Sequence, residues 1–479
     1  MKINRLILSL SLPYMLFATT IDFDEALNKT IANNKSLKAK KLSVENAKLD
    51  LKKADGYNYG NLTFEENIAR TNNALNTFGM KLMSREATFR DFGFSDFLGG
   101  VGQVLNNSAD FNAFKAQMTN PAMAEQLLNT APDDLNNPEA RTNYETKVVY
   151  EAPLFTGFKL QNAKTMAKLQ IKAKEAKYNY DEKQLGLEVL KAYNGAVAAK
   201  YFIKATQKAK KATTSFVTFA SEMFKEGFVT NIDVQQAQVY DMKINSMLLE
   251  ANSKYKLAIA YLKFLTNDSD ITDVNDFKSL NVEVTDLNTL QNQAIQNRDD
   301  LNWMKQNTET MKTKVKFEKS ANYPMIGAHL EYGYNDDQLN NIDSKHDYYT
   351  AAVGLQYKIF SGFATSSNIQ KAKLDYAKTK HYLDYMTDGI KLQVEKAYLT
   401  LKTKQSVLKQ KLKAQSLADE VLEKSEQMYK NNLMKMSDLL MQQASAQQAR
   451  AEAILAHYEA TIAAAKLKLA LGQNLKGEK

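Results

Sequence analysis

The 479-residue chain has no cysteine, six prolines, one tryptophan and four histidines. Without cysteine it forms no disulfide, no thiolate metal site and no lipid-modified N-terminal thiol. The histidines, His329, His346, His381 and His457, show no close metal-ligand spacing, and no phosphate-cradling glycine loop is present. The residues therefore offer no recognisable catalytic, cofactor or metal motif, and a non-enzyme is expected. No apolar run of about 18 residues occurs, so no transmembrane helix is expected either. The net charge is +9. Its lysines alternate with acidic residues, as in KLQIKAKEAKYNYDEKQ, which describes a solvated helix face rather than a nucleic-acid surface.

The scarce prolines mark the elements. Pro13 lies near the start, Pro121, Pro132 and Pro138 lie in one segment, and Pro153 and Pro324 flank strand-like runs. None falls in 159–267 or 364–472, where proline would break a helix. Residues 159 to about 224 contain only Gly186 and Gly195, so one helix there reaches on the order of 95 Å. Rods of that length must pack side by side as coiled coils, with Leu185, Val189, Ala192 and Ala196 in the seam. At the N-terminus, Lys2 and Arg5 precede an apolar run from Leu6 to Ala18, the layout of a secretory signal, expected at 1–18.

The chain repeats itself. PLFTGF at 153–158 returns 205 residues later as KIFSGF at 358–363, and the same register aligns Tyr193 with Tyr398, Met223 with Met428 and Asp233 with Asp438. A second register aligns residues 30–37 with 294–301. The offset between the two registers implies an insertion of about 59 residues between about 67 and 144 of the first half. The expected organisation is a first repeat at 19–267, a linker at 268–285, a second repeat at 286–472 and a short tail at 473–479.

Between the rods the apolar period is two. Ile326, Ala328, Leu330, Tyr332 and Tyr334 alternate with smaller or polar residues, as do Tyr349, Ala351, Val353, Leu355, Tyr357 and Ile359, predicting a hairpin over 325–360. The first half repeats this with Leu62 and Phe64 in one strand and Tyr144, Thr146, Val148 and Tyr150 in the other. Each run has the length of a tilted membrane strand, and four strands cannot close a barrel in lipid. Several copies must share one barrel; three copies give twelve strands. The insertion falls at the outer loop of the first hairpin and reads as an enlarged extracellular loop packed by its own aromatics.

The duplicated order of helix, hairpin and helix pair, with its twin LFTGF and IFSGF junctions, resembles the TolC-type outer-membrane efflux proteins across nearly the whole chain after residue 18. The fold class expected is mainly α with a β-barrel portion. The resemblance implies a homotrimer with a twelve-stranded barrel in the outer membrane of a Gram-negative cell, continued by an α-helical tunnel through the periplasm. It implies a passive exit duct for efflux or type I secretion, partnered by a periplasmic adaptor (membrane fusion) protein and an inner-membrane RND-type or ABC-type transporter, with no cofactor. A periplasmic coiled-coil scaffold without channel activity is the alternative.

At the strand-to-helix junctions, Gly157 and Gly362 permit backbone angles closed to other residues, and Phe155, Phe158, Phe360 and Phe363 flank them. Gly227 and Asn432 suit a left-handed helix end, and Asp233 and Asp438 suit the start of the returning helix. By the resemblance, Gly227, Phe228, Val229, Asn432, Leu433 and Met434 form adaptor-contacting tips, and Asp233 and Asp438 lie near a periplasmic constriction. The aspartates are equally well placed to be helix caps. Met441 stands where the family's best-known members carry a second acidic residue, so Tyr429 and Met441 are candidates for a constriction made by packing.

Overall fold

The computed structural model describes residues 19–280, 282, 285–339 and 343–476. The expected signal at 1–18 lies outside them, as do parts of the linker, of the second hairpin's loop and of the tail.

In chain order the elements are β1 (Thr19–Ile21), α1 (Phe23–Asn33), α2 (Lys35–Gly56), β2 (Asn61–Thr71), α3 (Ala74–Met83), α4 (Phe94–Asn106), α5 (Phe111–Met118), α6 (Pro121–Leu128), α7 (Asp133–Asn136) and β3 (Arg141–Phe155). There follow α8 (Lys159–Lys225), α9 (Asn231–Thr266), β4 (Ile271–Val274), α10 (Leu287–Asn297), α11 (Asp299–Lys319), β5 (Met325–Asp336), β6 (Asp347–Gln356), α12 (Ala364–Lys430) and α13 (Met436–Ala470). The two 67-residue helices, α8 and α12, occupy the proline-free segments. The chain divides into two compact units, one comprising 50–166 and 313–373 and the other the remainder.

In the first of these units, β2, β3, β5 and β6 form an antiparallel sheet in that order, with β2 and β6 at its edges. Strand β6 ends at Gln356, so Tyr357 and Ile359 lie outside it although the alternation runs through them. The segment expected as the first hairpin's enlarged outer loop is built of short helices, α3 to α7. Polar caps start several of them: Asn73, Asp110 and Asn120 accept from backbone N–H groups of the first turn, and Pro121 occupies an opening position of α6. Phe78 and Phe92 pack edge to face at 5.0 Å within this insertion. Asp91 is held there by Lys81 and Thr88, whose bonds outweigh the upward push of burial and set its carboxyl at about 2.

The helical unit is organised around the middle of α8. The short strands β1 and β4 pair in parallel, and Ile21, Ile271 and Val274 are buried against Val189, Leu190, Tyr193, Ala196 and Val197. The predicted seam is therefore a core: Val189, Ala192 and Ala196 are buried and Leu185 is partly so. Tyr193 meets Phe23 edge to face at 6.0 Å, and its hydroxyl donates to the Asp276 carbonyl at 3.2 Å. This parallel pair raises the strand count to six among the described residues; four belong to the larger sheet. Farther along, α8 pairs with α9 and α12 with α13, joined by Lys210–Asp241 in one pair and by Lys404–Glu459 and Lys411–Glu452, each 2.6 Å, in the other. No described helix is long and apolar enough to cross a membrane.

Candidate functional site

Two regions are candidates: the sheet of one unit and the two helix-pair tips of the other. Strand alternation sends Phe64, Val148, Tyr332 and Tyr349 to one face, and the register places them side by side across all four strands. Their exposures are 67%, 40%, 47% and 81%. The next row, Leu62, Tyr150, Leu330 and Ala351, continues the same apolar face. The opposite face carries charge: Lys147 lies 3.7 Å from Glu65, 3.5 Å from Glu145 and 3.7 Å from Glu331. A sheet in a water-soluble protein buries its apolar face. Here the apolar face is bare and the charged face is the more covered, the polarity of a strand between lipid and a wet interior.

The two strand-to-helix junctions have one construction. Gly157 and Gly362 take φ of 60° and 59°, and the following Phe158 and Phe363 take 67° and 66°, left-handed values rare for a bulky residue. Thr156 and Ser361, just before these glycines, reach forward to the helix starts, their side-chain oxygens accepting from Leu160 N–H at 3.3 Å and Thr365 N–H at 3.2 Å. Phe155 packs edge to face on Phe158 at 5.4 Å and Phe360 on Phe363 at 5.7 Å.

The tips are also paired constructions. Helix α8 ends with Phe228 N–H on the Met223 carbonyl at 2.9 Å, and α12 ends with Leu433 N–H on the Met428 carbonyl at 2.9 Å. Gly227 at φ 76° and Asn432 at φ 58° supply the left-handed residue that this helix ending requires. Phe228 and Leu433 are largely exposed, whereas Val229 and Met434 are partly covered.

The returning helices differ. The Asp233 carboxylate accepts from Thr230 N–H at 3.0 Å and Thr230 Oγ1 at 2.7 Å, completing a capping box on α9. Asp438 is exposed, its cap position is Lys435, and Ser437 Oγ approaches it at 3.4 Å. Met441 is exposed, but Tyr429 is buried between the helix pairs, edge to face with Phe219 at 5.6 Å. Burial, with a contribution from the Asp233 charge, pushes the Tyr429 phenol up. In this arrangement Tyr429 packs a core and does not share an exposed ring with Met441.

The family model for outer membrane efflux protein matches residues 105–268 and 290–473. Among solved structures, the chain is similar to CusC, described in terms of transmembrane channel formation, with 12% identity, 95% of this chain and 93% of that chain covered, and a TM-score of 0.74. It is likewise similar to the Campylobacter jejuni CmeC outer membrane channel, with 14% identity, coverage of 95% and 87% and a TM-score of 0.73. The Vibrio cholerae outer membrane protein VceC shows 13% identity, coverage of 94% and 96% and a TM-score of 0.71. No curated protein matches the sequence.

Proposed function

We propose, from the premise that this chain belongs to the outer membrane efflux protein family, that the outer membrane efflux channel it forms is the passive exit duct of a tripartite machine. The observation that carries this reading is the inverted sheet, with its apolar face exposed, its charged face covered, and both edge strands unpaired on one side. An open edge in lipid leaves backbone groups without partners, so β2 of one copy pairs with β6 of the next. Three copies give a closed barrel of twelve strands.

The helices support the same ring. Val239 and Ile232, Leu249 and Met242, and Phe264 and Leu257 lie seven apart and exposed along α9, as do Tyr385, Leu392 and Leu399 along α12. Two different stripes that require partners fit a head-to-tail ring, because each copy presents one stripe to each neighbour. The helices then form a periplasmic tunnel in a Gram-negative cell. The exposed tips around Gly227, Phe228, Val229, Asn432, Leu433 and Met434 meet a periplasmic adaptor, and an RND-type or ABC-type pump supplies the energy. At the constriction Asp438, which caps nothing through its side chain, supplies the freer carboxylate, while Asp233 is engaged by Thr230.

The test is conductance in planar lipid bilayers together with native mass spectrometry of detergent-purified protein. Trimers that conduct ions, with cation block weakened by Asp438→Asn more than by Asp233→Asn, support the reading. A monomer that forms no conducting pore rejects it.

A further inference from the structure

Apart from the duct, the structure brings together three metal-ligating side chains from distant parts of the sequence. Glu86 follows α3 in the helical insertion, Asp336 ends β5, and His346 precedes β6. One ligand atom from each lies within 4.8 Å of the others.

Asp336 is almost fully buried; its Oδ1 accepts from Gln338 N–H at 2.9 Å and its Oδ2 lies 3.5 Å from Nδ1 of His346. That Nδ1 is itself buried and has no hydrogen-bond partner among the described residues, although a carboxylate oxygen lies 3.5 Å away. A buried ring nitrogen without a partner carries a desolvation cost that a hydrogen bond or a metal ion removes. Two ligands about 2.1 Å from one ion at a tetrahedral angle stand about 3.4 Å apart, the separation found between these atoms.

Glu86 is held in place from outside the group. Its Oε2 accepts from Ser84 Oγ at 2.9 Å and from Arg141, and Arg85 takes the left-handed φ of 57° that turns the chain between them. Arg85 also donates to the Lys345 carbonyl at 3.3 Å, next to His346. The Arg141 cation leaves two carboxylates and an imidazole with an excess of negative charge.

We propose that Glu86, Asp336 and His346 bind a divalent transition-metal ion, Zn²⁺ first among them, clasping the helical insertion to the second hairpin. One imidazole with two carboxylates suits zinc, with water as fourth ligand, whereas calcium and magnesium favour sites built wholly of oxygen. With no cysteine in the chain, thiolates contribute nothing to zinc binding.

The experiment uses the full chain in detergent, purified without a polyhistidine tag, stripped with chelator and titrated with Zn²⁺ by calorimetry, with metal content checked by mass spectrometry. About one zinc per chain is expected. Outer-shell changes weaken a metal site by roughly 10–100-fold and loss of a direct ligand by no less, so His346→Ala and Asp336→Asn reduce affinity by at least about tenfold. His329→Ala is the control, because His329 lies near Glu151 and Glu331 at 3.3 and 3.4 Å and offers a rival site; its affinity stays unchanged. Zinc also slows proteolysis within 74–136 in the parent chain but not in His346→Ala. Absence of zinc binding to the parent chain, undiminished binding by His346→Ala, or loss of binding in His329→Ala overturns the proposal. Should His346→Ala fail to assemble, Co²⁺ titration of the parent chain decides: tetrahedral d–d absorption supports the site and its absence overturns it.

Discussion

Gly157 and Gly362 hold one backbone conformation, yet a Cβ on Gly157 would lie 2.7 Å from the Ser320 carbonyl oxygen and 2.7 Å from Tyr323 Cβ, whereas a Cβ on Gly362 meets nothing within 4 Å among the described residues of the chain. The neighbouring aromatics follow suit. Phe158 packs on Tyr323 at 5.7 Å, while Phe363 remains 74% exposed. The first junction is wedged against the turn before β5, and the second lies beside edge strand β6. The duplication thus copied a backbone requirement into two surroundings: within one chain the first is filled by the turn before β5, and the second faces the side on which the proposed ring sets the next copy. The helix-pair tips also differ: their closing bonds to the Met223 and Met428 carbonyls match, but only the first returning helix has a capping box. In the sheet the difference runs by position instead: β3 and β5 are flanked on both sides, while the edge strands β2 and β6 are exposed along most of their length.

The largest effect expected from this contrast is on the exposed edge strand β6. Val353→Arg places a cation on the apolar face of β6 and costs about 2–4 kcal/mol per chain if that face meets lipid. Outer-membrane fractionation should show assembly lost; normal assembly would break the contrast between the faces. Next, Gly157→Ala combines left-handed strain of about 1–2 kcal/mol with a backbone clash, and Gly362→Ala carries the strain alone. Thermal unfolding in detergent should therefore rank Gly157→Ala clearly below Gly362→Ala where the contacts within one chain decide, and equal losses would mean that the next copy packs the second junction as tightly as the turn before β5 packs the first. At the tips, Thr230→Ala should lose about 1 kcal/mol, while Lys435→Ala, which removes no side-chain cap, should stay near the parent.

The smallest effect is the pH dependence of the helix pairs. Burial alone would raise the Asp241 carboxyl, but bonds from Lys210 and Thr213 outweigh it and hold it low. A depressed folded value means that its contribution is complete above the ordinary aspartate value of about 3.9 and is lost as pH falls through the folded one. In the second pair, Glu452 is lowered chiefly by its bond from Lys411, but more of its side chain meets solvent, which screens the pair. Unfolding followed from about pH 7 to about pH 3 should show Asp241→Asn flattening the acid limb more than Glu452→Gln.

Much of this was legible in the sequence, for physical reasons that differ by element. A proline-free segment of some hundred residues leaves a long helix pair as its economical reading, and α8 with α9 and α12 with α13 occupy those segments. Left-handed turns favour glycine or asparagine, so Gly157, Gly227, Gly362 and Asn432 were visible as residue types, whereas Phe158 and Phe363, which take the same region, were not. Strands β1 and β4, at three and four residues, are too short to display a period. The insertion read as a loop because its helices are short, although Asn73, Asp110 and Asn120 with Pro121 carried capping signals. Alternation ran past the end of β6 because periodicity records side-chain pattern, while pairing ends where the neighbouring strand ends. The burial of Tyr429 depends on how two helix pairs meet. The proximity of Glu86, Asp336 and His346 depends on a fold that joins residues 250 positions apart in the chain.

The absence of cysteine makes the central claim directly measurable, because each introduced thiol is the only one. Single variants Phe64→Cys, Val148→Cys, Tyr332→Cys and Tyr349→Cys, and their sequence neighbours Glu65→Cys, Lys147→Cys and Tyr348→Cys, can be spin-labelled in liposomes and exposed in turn to oxygen and to a water-soluble relaxation agent. The account predicts that the first set responds to oxygen dissolved in lipid and the second to the aqueous agent, switching with every step along a strand. Equal responses from both sets, or the reverse assignment, would contradict it.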